Sequence, residues 1–280
     1  MGKFSDILLT VDYDRTLTAP DATVPQRNLE AIRYFMAEGG AFTVNTGRSL
    51  PMAGTILESI PMNAPLLLYN GSAAYDTETG KMLFTHPIDL DVWQTVRTCM
   101  ELVPDLMVEV QGISAHYRFA ENPKWDAFYD FNRCPHAAPR PGEDLGPFLK
   151  FSVYQWEGSD NVGSLFQASP AVIRRLDQAQ ALLSQQFRDH CQVFRAGARI
   201  LDIHARGVSK GRSARELQAR LGRKILVCLG DAENDLPMLE AADYAFCPAD
   251  GVLADRFENL CPCGQGAVAD AIFEKIPGIL

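Results

Sequence analysis

The fold is decided by the stretch Ile7-Leu8-Leu9-Thr10-Val11-Asp12-Tyr13-Asp14-Arg15-Thr16-Leu17, in which two acids directly follow an apolar run. Five consecutive residues of this kind are typical of a strand buried on both faces. Because alternate residues leaving a strand point to the same side, Asp12 and Asp14 are expected to share one pocket. Neighbouring carboxylates repel each other unless a cation or a shared proton relieves them, which indicates a metal. A solvated acidic turn has the same pattern, so this motif alone leaves both interpretations open.

The rhythm of apolar strands and helices continues at both ends of the chain. A helical face over residues 26–39 precedes apolar runs at 41–44 and 65–69. Another helix over 213–221 precedes the run at 225–229. Continuously apolar strands alternating with helices are typical of a parallel sheet that is covered on both faces. The sequence therefore predicts an α/β fold with a doubly wound, Rossmann-like parallel sheet.

The middle of the chain has a different pattern. It is rich in aromatic residues, contains a Pro-rich stretch over 135–147, and includes an amphipathic helix over 171–187. We interpret residues 85–197 as an α+β domain inserted into the doubly wound one. The insertion makes the core discontinuous, with its two parts at residues 1–84 and 198–280.

Composition and charge exclude several classes of protein. The chain has 280 residues, 47% hydrophobic and 22% charged, which is ordinary for a soluble globular protein. Its net charge is −9, and no run of basic residues exceeds two, so we expect no nucleic-acid partner. An apolar stretch of about 20 residues, the length that spans a membrane, is absent from the sequence. With no signal peptide recognised either, we expect a cytoplasmic protein with reduced thiols and no membrane partner.

A second acidic cluster follows the strand predicted at 225–229, and it reads Gly230-Asp231-Ala232-Glu233-Asn234-Asp235. Ligands collect at the carboxyl ends of strands in doubly wound sheets, so both acidic clusters are expected to converge on one site. A cap at the start of a helix explains one of these acids but not three. Carboxylate oxygens are ligands that suit Mg²⁺.

Two further polar stretches are suited to an anion. The second predicted strand ends in Thr43-Val44-Asn45-Thr46-Gly47-Arg48-Ser49, which offers a hydroxyl, a glycine and a guanidinium to a phosphate. Ser209-Lys210-Gly211 precedes a predicted helix and supplies a compact positive charge. Each stretch is weak alone, because a single lysine is usually a solvated surface residue.

The motifs gain weight from their order along the chain. Asp-x-Asp-x-Thr-Leu, Thr-Gly-Arg, Lys-Gly and Gly-Asp-x-x-Asn-Asp together resemble the haloacid dehalogenase (HAD) superfamily of phosphatases. Within it they are most similar to the Cof-type, sugar-phosphatase-like subgroup, whose fourth motif resembles the stretch 230–239. Asn70-Gly71-Ser72 is similar to that subgroup's turn after the third strand. The resemblance implies that residues 85–197 are an α+β cap that determines substrate specificity.

The resemblance also implies a role for each residue of the site. Asp12 would be the nucleophile that forms an aspartyl-phosphate, and Asp14 would be the general acid and then the general base. The implied Mg²⁺ residues are Asp12, Asp14 through its backbone carbonyl, Asp231, and Asp235, which would orient Lys210 or a metal-bound water. The implied phosphate-binding residues are Thr46, Gly47, Lys210 and Asn234. The implied substrate-binding residues are Arg48, Asn70 and Gly71.

One residue departs from the subgroup's pattern. The subgroup usually has glycine after the second aspartate of the first motif, and this chain has Arg15. A long cation beside the site either contacts substrate or points to solvent. Exposed arginines are the common case, so we expect a structural or solvent-exposed role for Arg15.

The cap is harder to interpret from sequence. Arg118, Lys150 and Tyr154 are candidates for facing the substrate. Trp125, Phe128 and Phe131 are expected to pack in the cap core, since aromatics at helical spacing usually pack. The aromatic-rich cap also offers a surface for a homodimer, and the sequence leaves the oligomeric state open.

Taken together, the residues and the resemblance predict a Mg²⁺-dependent phosphatase that hydrolyses a small phosphorylated metabolite, with a sugar phosphate favoured. A phosphotransferase or phosphomutase on the same core is an alternative, since transfer to a second hydroxyl needs the same first step. A non-catalytic sensor of a phosphate ligand is another. Asp14 argues against the sensor, because binding alone needs no proton donor there.

Overall fold

The computed structural model describes residues 2–120, 123–155 and 168–279. Its contacts divide the chain into two compact units. The core unit comprises Met1–Gly47, Thr55–Phe84 and Ser209–Leu280. The cap unit comprises Arg48–Gly54 and Thr85–Val208.

The helices and strands have the following bounds in chain order. The strands are β1 (Ile7–Val11), β2 (Ala41–Val44), β3 (Leu66–Leu68), β4 (Ala73–Asp76), β5 (Lys81–Thr85), β6 (Met107–Gly112), β7 (His116–Arg118), β8 (His136–Ala137), β9 (Phe148–Tyr154), β10 (Cys191–Gly197), β11 (Ile200–Ala205), β12 (Ile225–Leu229), β13 (Tyr244–Pro248) and β14 (Glu258–Leu260). The helices are α1 (Gln26–Ala37), α2 (Gly54–Ser59), α3 (Val92–Leu102), α4 (Pro123–Phe131), α5 (Pro170–Gln186), α6 (Lys210–Arg220), α7 (Leu236–Ala241) and α8 (Ala267–Asp270).

A parallel sheet in the order β14-β13-β12-β1-β2 forms the centre of the core unit. Every neighbouring pair in it is parallel, and β1 lies between β12 and β2. The predicted strands at 41–44 and 225–229 match β2 and β12, and β1 is buried along its whole length. The predicted α/β class with a doubly wound parallel sheet is therefore confirmed. Because β1 and β12 are neighbours, the acids that follow them leave the same edge of the sheet.

The third predicted strand lies outside this parallel sheet. β3 pairs antiparallel with β4 in a separate sheet of order β3-β4-β5. It touches the end of β2 through one parallel bridge, between Asn45 and Leu67. The cause is the turn at Asn70 and Gly71, whose φ angles of 53° and 99° reverse the chain so that β4 folds back on β3. A continuous apolar run does not distinguish these two kinds of sheet.

The cap unit is built on a sheet of order β10-β11-β9-β6-β7-β8. One face of this sheet is apolar and packs against α3 and α5, in a cluster that includes Val110, Phe151 and Leu176. The opposite face carries polar side chains, with Glu109 beside Ser152 on the neighbouring strand. Side chains alternate between the faces along each strand, which explains the separation.

The structure ends the cap at Val208, whereas the sequence pattern places the boundary between residues 197 and 198. That earlier boundary separates β10 from β11, two strands that pair antiparallel over most of their length. β11 also pairs with β9, so it belongs to the cap sheet on both of its edges. The Gly197–Ile200 hairpin connection resembles a domain linker in sequence, and only strand pairing tells the two apart.

The aromatic residues of the cap divide differently from the prediction. Trp125 is buried in a cluster with Tyr129 and Tyr154, and Phe128 packs against that cluster, as expected. Phe131, however, is 81% exposed. It is the last residue of α4, and helical spacing alone does not bury it.

Helix α5 is amphipathic in the way that its sequence predicts. It buries Val172, Leu176, Ala179 and Leu183 along one stripe, and the side chain of Ser169 caps its first turn.

Over the ranges that the structure describes, no helix combines the length and the apolar character needed to cross a membrane.

Replacing Leu176 with alanine is expected to lower the free energy of unfolding by about 2–5 kcal/mol, because the change opens a cavity in a fully buried position. Leu182 lies on the same helix but is 42% exposed, so Leu182→Ala is the matched control and should change stability far less. Urea titration followed by circular dichroism measures both. Equal losses in the two variants would contradict the packing described for this face.

Candidate active site

Asp12 occupies the first position after β1. Its backbone N–H donates to the carbonyl of Leu229 at 2.9 Å, which continues the parallel ladder by one residue. The chain then turns tightly over Tyr13–Leu17, where Asp14 and Arg15 have non-helical backbone angles. Asp12 is only 6% exposed, so its carboxylate is held at the edge of the sheet with little access to bulk water.

The second acidic cluster follows β12 and is organised by Asp235. One oxygen of this carboxylate, Oδ2, accepts the N–H groups of Asp231 and Ala232 at 3.0 and 3.1 Å. Asp231 in turn accepts a hydrogen bond of 2.9 Å from the hydroxyl of Thr16. Because Thr16 belongs to the turn after β1, this bond joins the two acidic clusters directly.

Lys210 connects the same clusters through its charge. It is the first residue of α6 and is 1% exposed, and its Nζ donates to Asp12 Oδ1 and Asp235 Oδ1 at 2.5 Å each. Burial alone would lower the pKa of this lysine, but the two carboxylates outweigh burial and raise the pKa. The ammonium is therefore firmly protonated. The predicted convergence of Asp12, Lys210, Asp231 and Asp235 is what the structure shows.

The three carboxylates carry more negative charge than Lys210 balances. Burial raises the pKa of Asp12 well above its usual range, and Asp235 raises it further, whereas Lys210 opposes both. Burial and Asp235 likewise raise the pKa of Asp231 to about 7, against the hydrogen bond from Thr16. In the absence of a cation, the cluster therefore holds protons more tightly than isolated aspartates do.

This cluster fits a hard divalent cation. Asp12, Asp231 and Asp235 each offer one oxygen, and these atoms all lie within 4.8 Å of one another. Oxygen ligands and excess negative charge are what Mg²⁺ requires. Over residues 2–120, 123–155 and 168–279, this is the one group of three or more potential ligands brought so close. The side chain of Asp14 is not a member of it, and the role implied for Asp14 runs through its backbone carbonyl.

The predicted phosphate-binding residues lie on neighbouring loops of the core unit. Thr46 donates its N–H to the carbonyl of Leu67 at 3.0 Å, and its own carbonyl accepts the N–H of Asn70 at 3.0 Å. Asn234, from the second acidic cluster, donates its side-chain amide to Asn70 Oδ1 at 3.4 Å. The loops after β2, β3 and β12 are therefore linked to one another.

Two glycines allow these loops to approach closely. A Cβ at Gly47 would lie 2.9 Å from Asn70 Oδ1. A Cβ at Gly71 would lie 2.3 Å from the carbonyl oxygen of Ser209, and the φ of Gly71 is +99°. A larger residue at either position would push Asn70 or the start of α6 away from the site.

The other predicted substrate residues are held within the cap unit. Arg48 lies in the segment Arg48–Gly54, which groups with the cap unit. The three cap candidates each contact an acid of that same unit: Arg118 pairs with Asp126 at 2.7 Å, Lys150 pairs with Asp202 at 3.0 Å, and the Tyr154 hydroxyl donates to Glu109 at 2.5 Å.

The sequence pattern predicts no role for two residues of the site, Thr16 and Asn45. Thr16 is the donor to Asp231. Asn45 is fully buried, and its side-chain amide donates to the backbone carbonyl of Lys210 at 2.9 Å, which fixes the start of α6. A polar residue at the end of an otherwise apolar strand was the available signal for Asn45. Its partner lies 165 residues away, beyond the reach of any local pattern.

The comparison with protein families agrees with this geometry. The family model of haloacid dehalogenase-like hydrolases matches residues 9–252, which is most of the chain. The chain therefore belongs to the haloacid dehalogenase-like hydrolases. This membership confirms the resemblance drawn from the four motifs, and with it the prediction that the chain is an enzyme of this superfamily.

Individual relatives are distant but extend over nearly the whole chain. The 5-amino-6-(5-phospho-D-ribitylamino)uracil phosphatase of Bacillus subtilis is 21% identical, with 88% of this chain and 87% of the relative covered. The HMP-PP phosphatase of Serratia proteamaculans is 23% identical, with 94% and 92% covered.

Solved structures show the same fold. A haloacid dehalogenase-like hydrolase from Bacteroides thetaiotaomicron superposes with a TM-score of 0.77 at 18% identity, covering 96% of this chain and 98% of that one. A sugar phosphatase of HAD subclass IIB superposes with a TM-score of 0.76 at 17% identity, covering 98% and 99%. At these identities the likeness shows the fold alone.

Binding of Mg²⁺ is expected to strengthen as the pH rises from about 6 to about 8, because a cation must displace the proton that Asp231 holds with a pKa of about 7. Without the cation, the free energy of unfolding is expected to decrease as the pH rises. The folded pKa lies above the unfolded value, so the free energy of unfolding falls by up to about 1.4 kcal/mol per pH unit between about pH 4 and pH 7. Thermal unfolding at several pH values, with and without Mg²⁺, measures both effects.

The matched control for this experiment is Asp231→Asn, which cannot bind the proton. Its melting temperature should depend less on pH over the same range, and Mg²⁺ should raise it less than in the unchanged protein. An equal Mg²⁺ shift at about pH 6 and about pH 8 would contradict the proposed competition with a proton.

Arg15 adopts a backbone conformation that favours glycine, with a φ of 63°. Replacing it with glycine relieves about 1–2 kcal/mol of strain but adds about 0.5–1 kcal/mol of backbone entropy to the unfolded chain. We therefore expect Arg15→Gly to change the free energy of unfolding by less than about 1 kcal/mol. Arg15→Val should lower it, because β-branched residues disfavour this region. Urea unfolding of both variants tests whether Arg15 has this left-handed backbone conformation. Equal stability of the two variants would contradict it.

Proposed function

We propose that the chain is a Mg²⁺-dependent phosphatase that hydrolyses a small phosphorylated metabolite through an aspartyl-phosphate intermediate. The observation that carries the proposal is the buried Asp12 carboxylate, held by Lys210 at 2.5 Å and grouped with Asp231 and Asp235. A nucleophile in this position needs to be ionised and oriented. Lys210 orients Asp12 and opposes the rise in its pKa that burial and Asp235 cause. Bound Mg²⁺ would neutralise the excess negative charge of the cluster and polarise the phosphoryl group.

In the first step, an Asp12 oxygen attacks phosphorus while the bond from phosphorus to the leaving-group oxygen breaks. Asp14 donates its proton to that oxygen, so the leaving group departs as a neutral alcohol. In the second step, the ionised Asp14 takes a proton from water, whose oxygen attacks the same phosphorus. The bond between Asp12 and phosphorus breaks, inorganic phosphate leaves, and both carboxyl groups return to their starting states.

Lys210, Thr46 and Asn234 are proposed to hold the phosphoryl group. The lysine supplies a buried positive charge, and Thr46 and Asn234 are linked through Asn70 in one loop cluster. Fixed donors of this kind stabilise the charge that develops on the phosphoryl oxygens, because they need not reorganise during the reaction.

The substrate class is proposed from the relatives and from the cap. Two relatives are named as phosphatases, one acting on a phosphoribityl-aminouracil and one on HMP-PP, and a similar solved structure is a sugar phosphatase. All are small phosphorylated compounds. We propose a substrate of this size, with sugar phosphates tested first and pyrimidine-linked phosphates second.

The test is phosphate release from a panel of small phosphate esters. Mg²⁺-dependent turnover is expected, with loss on addition of EDTA. Asp12→Asn should lower kcat by about 10³-fold or more, since it removes the attacking group, and Asp14→Asn should also lower it strongly. Asp21→Asn is the matched control, because Asp21 lies in an exposed turn, and it should leave kcat unchanged.

The outcomes separate the alternatives. Full activity of Asp12→Asn would overturn the proposed nucleophile. Transfer of phosphate to an added alcohol, in preference to water, would indicate a phosphotransferase. Binding of inorganic phosphate by a folded protein without turnover on any ester would favour a sensor.

A further inference from the structure

A buried hydrogen-bonded group in the cap unit joins three residues that the proposed reaction does not use. Ser49 Oγ lies 2.5 Å from His116 Nε2, and His116 Nδ1 pairs with Glu109 Oε1. All three residues are buried. We call Ser49, His116 and Glu109 the buried triad. Glu109 and His116 stand on the neighbouring strands β6 and β7, whereas Ser49 belongs to the segment Arg48–Gly54.

Glu109 is supported on every side. Its two oxygens accept hydrogen bonds from the hydroxyl of Tyr129 at 2.8 Å, the hydroxyl of Tyr154 at 2.5 Å and the side-chain amide of Gln111 at 3.2 Å. Burial acts to raise the pKa of Glu109, but His116 and these hydroxyls outweigh burial and lower the pKa to about 2. The carboxylate is therefore ionised, and it fixes the orientation of the His116 ring.

The order serine, histidine, carboxylate is that of a nucleophilic triad, but the surroundings exclude this use. The Ser49 side chain is 0% exposed, so a substrate carbonyl cannot reach its oxygen. The same oxygen also accepts the N–H of Met52 at 3.3 Å, as the cap of a short helical turn. The triad therefore acts within the structure and not on an external substrate.

Ser49 connects the buried triad to the proposed phosphate-binding residues through its position in the chain. Ser49 follows Thr46, Gly47 and Arg48, which are the proposed phosphate loop and a proposed substrate residue. The segment Arg48–Gly54 groups with the cap unit, although the chain on either side of it belongs to the core unit. Burying a histidine–carboxylate pair is costly, and apolar residues of similar size would pack as well. A directional constraint on this segment accounts for the polar choice.

We propose that His116 and Glu109 are positioning residues, which hold the segment Arg48–Gly54 through Ser49 and so restrain Arg48, the residue that follows Gly47 in the chain. The consequence for catalysis rests on the proposed function: loosening the segment weakens substrate binding but leaves the attack by Asp12 intact. KM should rise while kcat is largely preserved.

The test uses His116→Asn, because the shorter amide can still donate to Glu109 but cannot reach Ser49. The Ser49 hydroxyl keeps its role as the cap for Met52 in this variant. The matched control is Tyr129→Phe, which removes one donor from the same Glu109 oxygen and leaves the bond between Ser49 and His116 in place. Both variants lose one buried hydrogen bond of the same network.

Hydrogen–deuterium exchange of peptides that cover residues 47–54 is the first measurement. Exchange should be about tenfold faster in His116→Asn and unchanged in Tyr129→Phe, since local opening sets the exchange rate. This measurement does not depend on activity. Unchanged exchange in a folded His116→Asn variant would overturn the positioning role whatever the reaction is.

Kinetics on the best ester of the panel is the second measurement. KM should rise about tenfold in His116→Asn and in Ser49→Ala, with kcat within about threefold, and the double variant should be no worse than Ser49→Ala alone. An equal rise in KM in Tyr129→Phe would assign the effect to general loosening of the cap and would overturn the proposal. If the unchanged protein released no phosphate from any ester, the proposed function would fail, and the exchange experiment would still decide the role of the triad.

Discussion

The ammonium of Lys210, buried between Asp12 and Asp235, is the interaction on which the site depends. Removing an ammonium and two carboxylates from water is expensive, and it is offset here by contacts of 2.5 Å on both sides. The contacts also fix geometry, because Lys210 begins α6, and Asn45 pins that residue by its backbone. Without the lysine, acids delivered by two adjacent strands would repel each other across the sheet edge. Loss of this one charge would therefore disturb the loops after β1 and β12 together.

The same residues could be predicted from sequence to different degrees. The acids after β1 and β12 were predictable, because an apolar run followed by acids places the acids at a strand end, and parallel strands share that end. The bond between Asn45 and Lys210 was not, because it joins residues far apart in the chain through packing that no local period records. The φ of 63° at Arg15 is another case. The departure from glycine was visible in the sequence, but the backbone that made glycine usual there was not.

The structure differs from the predicted fold where contacts between distant parts of the chain decide the outcome. An apolar run predicts a buried strand but not its partner, so β3 was assigned to the parallel sheet although the turn at Asn70 and Gly71 turns it into an antiparallel hairpin with β4. The sequence of the short connection between β10 and β11 does not show that these two strands pair. The sequence pattern therefore places the cap boundary in this connection, whereas the structure places it after Val208. Strand existence follows from local hydrophobicity, whereas strand order follows from contacts between distant segments.

The buried acids of the two units differ in how far their negative charge is balanced by neighbouring groups. In the cap, Asp202 is matched by Lys150 at 3.0 Å, and Glu109 receives His116, two tyrosine hydroxyls and an amide, so neither needs a ligand to be stable. In the core, Lys210 pairs with Asp12 and Asp235, and Asp231 accepts a hydrogen bond from neutral Thr16. Fully ionised, the three carboxylates exceed the ammonium by two negative charges, which is the charge that one divalent cation supplies. The raised pKa of Asp12 and that of Asp231 express the same deficit. Burial is common to both clusters, and charge balance is what differs. The unbalanced cluster is therefore the one whose charge a bound divalent cation would neutralise.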